Sequence, residues 1–507
     1  MSEIVYIIST LLLIASCSLY SLYHLQSYNY YAVFKAKPIV FRCIITCILL
    51  SVALTTEYLS VVPYVCYGVV AVIFSALILC GNFSMRSKFK WTARGCRVAI
   101  PYYLVSISLV LVFSILFRGI YRIIFLSLSV LFSELILFMI NGIIAPFERK
   151  RNYNYAYEKT APIRNKNLIK IVITGSFGKT TCKNVLSALL EDDYKVYTTN
   201  GNYNTPLGVV KSIPPAGFSE GEKPIIFIAE AGARREGDVS KICSLVTPTY
   251  GIVTGVCAQH LDTFRSVERV KRAKQELADY IGKKGVVVFN GDNPHTLSMS
   301  KEFCGKGVVV GTKEGDISLK NLKTTIQGSS FDLITKSGVI HLNTPLLGRH
   351  NALNIALAVS LALEMGVGEE TIKRVVASLT PTPHRLEVIK SEGLVILDDS
   401  YNANEIGVLE GLEVLSAYNG RIVIYAQGVV ECGNKKREIN EKIGREMGKI
   451  ASVVLLSGEN ARYLKVGLKK SGYKGEIYKF KNVTHAEREF KNILKGEDIL
   501  YIQNDIP

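Results

Sequence analysis

Histidine, tryptophan and paired cysteine are scarce in this 507-residue chain, and each scarcity removes a class of protein. There are seven histidines, one tryptophan and eleven cysteines. No two cysteines stand at C-x-x-C spacing, so neither a zinc ribbon nor a disulfide framework is indicated. The thiols of the later part, Cys182, Cys243, Cys257, Cys304 and Cys432, are scattered as reduced cytosolic cysteines are. A basic stripe interleaved with aromatics is also missing, so the net charge of +17 does not point to nucleic acid. No internal repeat and no low-complexity tract is present. The first apolar stretch follows Ser2 and Glu3 rather than a basic segment, and more such stretches come after it, so it reads as a span and not as a signal peptide.

Long hydrophobic runs are what the first third does have. Hydrophobic residues make up 49% of the chain and the mean hydropathy is +0.24, with the excess concentrated before residue 147. Residues 4–23, 38–55, 60–82, 98–117 and 121–142 are each long enough, at about 1.5 Å per residue, to cross roughly 30 Å of hydrocarbon. Five spans are expected, although 38–55 and 60–82 also read as a hairpin or as one span with a re-entrant piece. Lys35, Lys37, Arg86, Lys88, Lys90, Arg94, Arg97, Arg149, Lys150 and Arg151 then all fall on one side, which the positive-inside rule makes cytoplasmic. The expectation is a multi-pass protein of the cytoplasmic (inner) membrane, its N-terminus outside and its catalytic part in the cytoplasm. The juxtamembrane basic residues favour anionic lipid headgroups. Glu134 is the clearest ionisable residue inside a span.

After a charged, Tyr- and Asn-rich linker at 148–166, the texture alternates between strand and helix. Apolar runs at 168–173, 225–229, 251–254 and 285–289 read as buried strands, with helices at 180–191, 236–246 and 267–281 between them. That is the pattern of a mostly parallel sheet covered on both faces. Residues 315–345 read as a β insertion, followed by helices at about 351–365 and 369–379 and the breaker Thr380-Pro381-Thr382-Pro383. A second α/β unit begins near Leu394. The fold class is therefore multi-domain: an N-terminal α-helical transmembrane bundle over 1–147, a P-loop central ATPase domain over 167–383 and a Rossmann-like C-terminal domain over 384–507.

The run Val172-Ile173-Thr174-Gly175-Ser176-Phe177-Gly178-Lys179-Thr180-Thr181 carries the first chemistry. A strand, a tight glycine turn and a helix N-terminus aim backbone N–H groups and an ammonium at one spot, which suits the phosphates of a nucleotide. The full G-x-x-x-x-G-K-[ST] pattern is not met, because Ile173 holds the first glycine's place. Lys179 would neutralise the β/γ-phosphates and the Thr180 hydroxyl would bind Mg²⁺. Glu230 ends the apolar strand P-I-I-F-I-A-E, at the edge where such sheets bind ligands, and reads as a direct or indirect magnesium partner. His260 follows another strand and becomes a credible ligand beside a metal. Lys274 alone reads only as part of a solvated helix face.

Taken together these segments resemble the Mur ligases, the ATP-dependent amide ligases of peptidoglycan synthesis. The likeness is nearest to the MurF type, which adds D-alanyl-D-alanine to a UDP-muramoyl-tripeptide. It is carried by T-G-S-F-G-K-T-T at 174–181, T-N-G-N-Y-N-T-P-L-G-V at 199–209, E-A-G-A-R-R-E-G-D-V at 230–239 and H-L-D-T-F-R-S-V-E at 260–268. R-A-K-Q-E at 272–276, L-L-G-R-H-N-A-L-N at 346–354, R-L-E at 385–387 and D-D-S-Y-N-A-N at 398–404 complete it. The resemblance implies that Gly175, Ser176, Phe177, Gly178, Lys179, Thr180 and Thr181 cradle ATP, with Asn204 near the γ-phosphate. It implies Glu230 and His260 as Mg²⁺ ligands, and Lys274 as a lysine carried as a carbamate beside a second magnesium. Asn351 would meet adenine, Arg385 the γ-phosphate and Asp399 the ribose. Tyr401 to Asn404 would line the closed cleft.

The chain departs from that family in two places. The family's soluble UDP-sugar-binding N-terminal domain is replaced by the apolar spans. The C-terminal segments also differ, with Ala426-Gln427-Gly428-Val429-Val430-Glu431-Cys432-Gly433 in place of a Leu-Gly-Asp-Met-like strand end. The expected activity is a membrane-bound ligase joining an amino acid or dipeptide to a carboxylate-bearing envelope precursor, lipid-linked or membrane-proximal, through an acyl phosphate. A poly-γ-glutamate-type synthetase and a nucleotide-binding membrane scaffold without turnover are the alternatives.

Overall fold

The structure is a computed structural model. It describes residues 7–15, 69, 92–165 and most of 167–506, leaving out 202, 216, 219–220, 260, 314, 392–393, 402–403, 431, 433–434 and 482. Two compact units are present, 1–151 and 152–507.

In the first unit, the expected spans at 38–55 and 60–82 and most of that at 4–23 lie outside the described residues; 7–15 is helical. So do Lys35, Lys37, Arg86, Lys88 and Lys90, on which the inferred orientation partly rests. Spans four and five correspond to the helices Ala93–Leu116 and Gly119–Lys159. Among the described residues these are the two helices long and apolar enough to cross a membrane. Thr92 caps the first by accepting the Gly95 N–H at 3.1 Å. Its apolar side chains Leu104, Leu111, Ile115 and Leu116 are exposed, as are Phe132, Leu135, Met139 and Ile143 of the second. On the longer helix Ser127, Glu134, Asn141 and Glu148 recur every seven residues, so they share one face, and all four are buried. Glu148 pairs with Arg94 at 3.2 Å and with Arg97. The segment expected as a linker continues this helix through Lys159, and a short helix Ala161–Asn165 comes next.

The second unit holds two sheets. The first has strands β1 (Ile169–Thr174), β2 (Lys195–Thr198), β3 (Ile225–Ala231), β4 (Tyr250–Val253), β5 (Val286–Asn290), β6 (Lys306–Gly311), β7 (Ile317–Thr325), β8 (Gly328–Thr335) and β9 (Gly338–Thr344). Their order is β2-β3-β1-β4-β5-β6-β7-β8-β9. Pairing is parallel as far as β7, and β7, β8 and β9 form an antiparallel meander that is the expected insertion. Alternation along β1 sends Ile171 and Ile173 to one face, against the helices Lys179–Leu190 and Arg349–Glu364. Val172 points to the other face, against Asp238–Val246 and Val267–Ile281. Both faces are thus covered, and β3 is buried at every residue.

The second sheet runs β10-β11-β15-β12-β13-β14, with β10 (Glu387–Ser391), β11 (Leu394–Tyr401), β12 (Ile422–Ala426), β13 (Val453–Leu456), β14 (Glu476–Lys479) and β15 (Ile499–Ile506). It is parallel except for β10, which pairs antiparallel with β11. Leu347 of the central part packs into the core of this sheet with Leu386, Leu412 and Tyr501, joining the two layers within one unit.

Candidate active site

The phosphate loop is built where β1 ends. Ser176 N–H donates to Gly255 O at 2.8 Å, and Thr254 Oγ1 donates to Phe177 O, so the exit of β4 pins the loop. Gly178 precedes the helix Lys179–Leu190 at φ +74°, a left-handed value that glycine adopts without penalty. A Cβ there would run into the side-chain amide of buried Asn354. No side chain caps this helix, so its first N–H groups are left for an anion.

Lys179 is half-buried and donates from Nζ to Gly175 O at 2.8 Å. Burial holds its ammonium below the ordinary lysine range, Arg385 adds to this, and Glu230 and Cys257 oppose it. Glu230 is completely buried near the end of β3, and neither carboxylate oxygen has a hydrogen-bond partner. Its Oε1 lies 3.2 Å from Nζ of Lys183, a residue that sequence reasoning passed over. A buried carboxylate with unused oxygens is costly unless something cationic completes it. With the half-buried Thr180 hydroxyl on the phosphate-loop helix, the donor set fits a hard divalent cation.

Lys274, which its helical position alone would put on a solvated face and which the family resemblance implies as a metal-side carbamate, is 3% exposed. Burial lowers its pKa to about 7, with Lys179 acting in the same direction, while Glu276, Asp238 and Cys257 pull the other way. Glu276 itself accepts the N–H groups of Gly237 at 2.5 Å and Ser240 at 2.8 Å, so the R-A-K-Q-E block holds the E-A-G-A-R-R-E-G-D-V block. Asn204 lies against Gly232 of that second block, with its main-chain O accepting the Gly232 N–H at 3.0 Å. His260 lies outside the described residues, as do 402–403 of the D-D-S-Y-N-A-N block.

Arg385 sits between His384 and Leu386, which both have positive φ (63° and 47°). Contacts from His384 Nδ1 to Asp398 Oδ2 at 2.7 Å and from His384 N–H to Glu387 Oε2 at 3.0 Å hold that turn. Asp399 accepts the buried Tyr501 hydroxyl at 3.1 Å. Burial raises the Asp399 pKa, while His350, Tyr501 and Arg385 oppose the rise. Asn351 is buried, with Nδ2 donating to Leu347 O at 2.8 Å.

A cross-sheet tie was also missed from sequence. Glu410, on the helix Glu405–Ser416, accepts the His350 backbone N–H at 2.7 Å and forms an ion pair with His350 Nδ1. Burial disfavours the imidazolium, but Glu410 and Asp399 outweigh it and raise the His350 pKa; Arg385 acts against them. Beside this tie is a cavity of about 460 Å³ whose lining includes Gly348, Arg349, Lys320, Glu410 and Val414. Its size is that of a small-molecule cleft.

This arrangement has counterparts. The Mur ligase middle domain matches residues 173–362, and the Mur ligase glutamate ligase domain matches residues 384–503. The chain belongs to the Mur ligase family. The UDP-N-acetylmuramoyl-tripeptide–D-alanyl-D-alanine ligase of Haemophilus influenzae is 30% identical over 280 residues, covering 54% of this chain and 60% of that one. The Escherichia coli ligase of the same name is 29% identical over 291 residues, 56% of this chain and 62% of its own. The chain therefore spans less than two thirds of either relative. Among solved structures, MurF from Acinetobacter baumannii superimposes with a TM-score of 0.61 at 24% identity, over 70% of this chain and 76% of that one. MurF from Thermotoga maritima in complex with ADP gives 0.60 at 22%, over 70% and 80%. These likenesses establish the shared fold of the second unit.

Proposed function

We propose that this chain is a membrane-bound, ATP-dependent amide ligase of MurF-like type acting on a cell-envelope precursor. The observation that carries the reading is electrostatic. Lys179, Lys183, Glu230 and Lys274 are concentrated around one phosphate loop in a largely buried setting, with Arg385 near enough to act on Lys179. Burying such a set is expensive without a polyanion and a cation to complete it.

In this reading the loop 175–178, the helix N-terminus and Lys179 hold the ATP phosphates, Thr180 faces the metal, and Asn204 and Arg385 meet the γ-phosphate. Asn351 serves adenine and Asp399 the ribose. Glu230, with His260 and Lys274, would hold Mg²⁺, which spreads the charge on the transferring phosphoryl group. Lys274 acts here as a carbamate: a pKa of about 7 leaves much of the amine neutral, the form that adds CO₂. A carboxylate oxygen of the acceptor attacks the γ-phosphorus and ADP departs, giving an acyl phosphate. The amine then attacks the acyl carbon, loses a proton, and phosphate leaves as the C–N bond forms. Water must be kept out meanwhile. The His350–Glu410 tie supports this by holding the second sheet over the first.

The apolar helices Ala93–Leu116 and Gly119–Lys159 support a membrane location, with the second unit in the cytoplasm where ATP is. The acceptor would then be membrane-proximal or lipid-linked and the donor an amino acid or dipeptide. The test is ATP turnover by the full chain in detergent, with carboxylate and amine supplied singly and together. Turnover only with both, abolished in Lys179→Ala, is expected. Equal turnover in Lys179→Ala would remove the site assignment, and ADP binding without any turnover would favour a scaffold.

A further inference from the structure

We infer that Lys183 is a positioning residue that sets the metal-facing carboxylate of Glu230 against the phosphate loop. This role rests on the nucleotide-site reading proposed for the chain and adds a residue to it. Lys183 lies four residues after Lys179, one turn deeper on the same side of the helix. It is 2% exposed, which for a lysine demands full compensation. Its Nζ donates to Thr199 O at 2.5 Å and to Gly201 O at 2.9 Å and lies 3.2 Å from Glu230 Oε1. An ammonium has three N–H donors. Two are taken by main-chain carbonyls and the charge lies against Glu230, so Lys183 is committed to the protein rather than to a phosphate. Lys179 differs, because its single protein hydrogen bond leaves donors to spare.

The three contacts join three separate segments. The helix of Lys183 carries the phosphate loop. Thr199 and Gly201 open the T-N-G-N-Y-N block, whose Asn204 main chain is bonded to Gly232 just past β3. Glu230 is in β3 itself, and Thr199 Oγ1 accepts its backbone N–H at 3.1 Å. One side chain therefore fixes the spacing between phosphate loop, Asn204 segment and carboxylate. Its Nζ lies 3.2 Å from Oε1 of Glu230. Both carboxylate oxygens are fully buried and have no hydrogen bond, which leaves an anionic group for a cation. Lys183 sets its charge against the carboxylate without using up its hydrogen-bonding capacity.

The test is calorimetric titration of the full-length wild type in detergent with ADP, with and without Mg²⁺, repeated on Lys183→Met and Lys183→Gln. Mg²⁺ is expected to tighten ADP binding by the wild type. In both variants that Mg²⁺-linked gain should fall about tenfold or more, as for residues that orient metal ligands. Binding of ADP alone should stay within about threefold, since Lys183 is buried against main-chain carbonyls and Glu230 rather than turned to the phosphate. Lys183→Gln retains a neutral N–H donor on a shorter side chain, so it reports on the charge even if Lys183→Met does not fold. A double variant with Glu230→Gln should lose no more Mg²⁺-linked gain than Glu230→Gln alone. Variants that melt at lower temperature yet keep the full Mg²⁺-linked gain would reduce Lys183 to a structural lysine and overturn the proposal. A wild type that binds no ADP under either condition would overturn the nucleotide reading, and this role with it.

Discussion

Replacing Glu410 by Gln tests whether the two sheets of the second unit are held together by a charge. Glutamine keeps the shape and a carbonyl oxygen that can still accept the His350 N–H now bonded at 2.7 Å. What it removes is the anion facing His350 Nδ1. Both side chains are 19% exposed, between a surface pair and a core pair. Exposed pairs contribute under about 1 kcal/mol and breaking buried ones costs about 3–5, so a loss of about 1–2 kcal/mol is expected. The groups facing His350 are Glu410 and Asp399, which raise its pKa, and Arg385, which lowers it. A raised folded-state pKa means the contribution is complete below about pH 6.5, the unfolded value, and fades as pH climbs through the folded value. Thermal unfolding of wild type and Glu410→Gln in detergent should therefore differ by about 1–3 °C near pH 6, and the gap should shrink as the pH is raised into the alkaline range. A gap that stays constant, or widens toward alkaline pH, would refute the charge argument and leave only packing.

Gly178→Ala should lower ADP affinity by more than about tenfold, because a Cβ at φ +74° is strained by about 1–2 kcal/mol and also displaces the buried Asn354 amide; unaltered binding would show that the loop relaxes freely. Tyr501→Phe removes the hydroxyl that orients Asp399 and should weaken ADP about three- to tenfold, read by the same titration, the worth of one ordinary hydrogen bond. If Lys274 works as a carbamate, turnover should drop in CO₂-depleted buffer and return with bicarbonate, with the drop steepest below about pH 7, where the amine is protonated. Turnover indifferent to bicarbonate would exclude the carbamate.

Much of the second unit was readable from local pattern. The phosphate loop announced itself because strand, glycine turn and helix lie within ten consecutive residues, and the β insertion because its strands alternate cleanly. The strands that escaped notice explain themselves. β2 and β14 are four-residue edge strands carrying Lys and Glu, β10 is a short antiparallel edge, and β6 is a brief Gly-Val-Val-Val stretch without enough period to register. Lys274 looked like a solvated helix residue because helical spacing tells which face a residue is on, not what covers it. Lys183 was missed for a sharper reason. Its neighbours Cys182, Val185 and Leu186 are buried, which hinted at an inward lysine, but its meaning depends on a carboxylate 47 positions later in the chain. The His350–Glu410 tie likewise spans two sheets, and no local pattern encodes it.

The most direct test of the proposed chemistry tracks one oxygen atom. An acceptor labelled with ¹⁸O in its carboxylate should, on amide formation by the full chain with ATP and amine, pass one label to inorganic phosphate, because the bond that breaks lies between the acyl carbon and that oxygen. Mass spectrometry should find labelled phosphate and an amide product in equal amounts. Unlabelled phosphate released alongside amide would contradict the acyl-phosphate route, and phosphate released without amide would contradict the ligase reading as a whole.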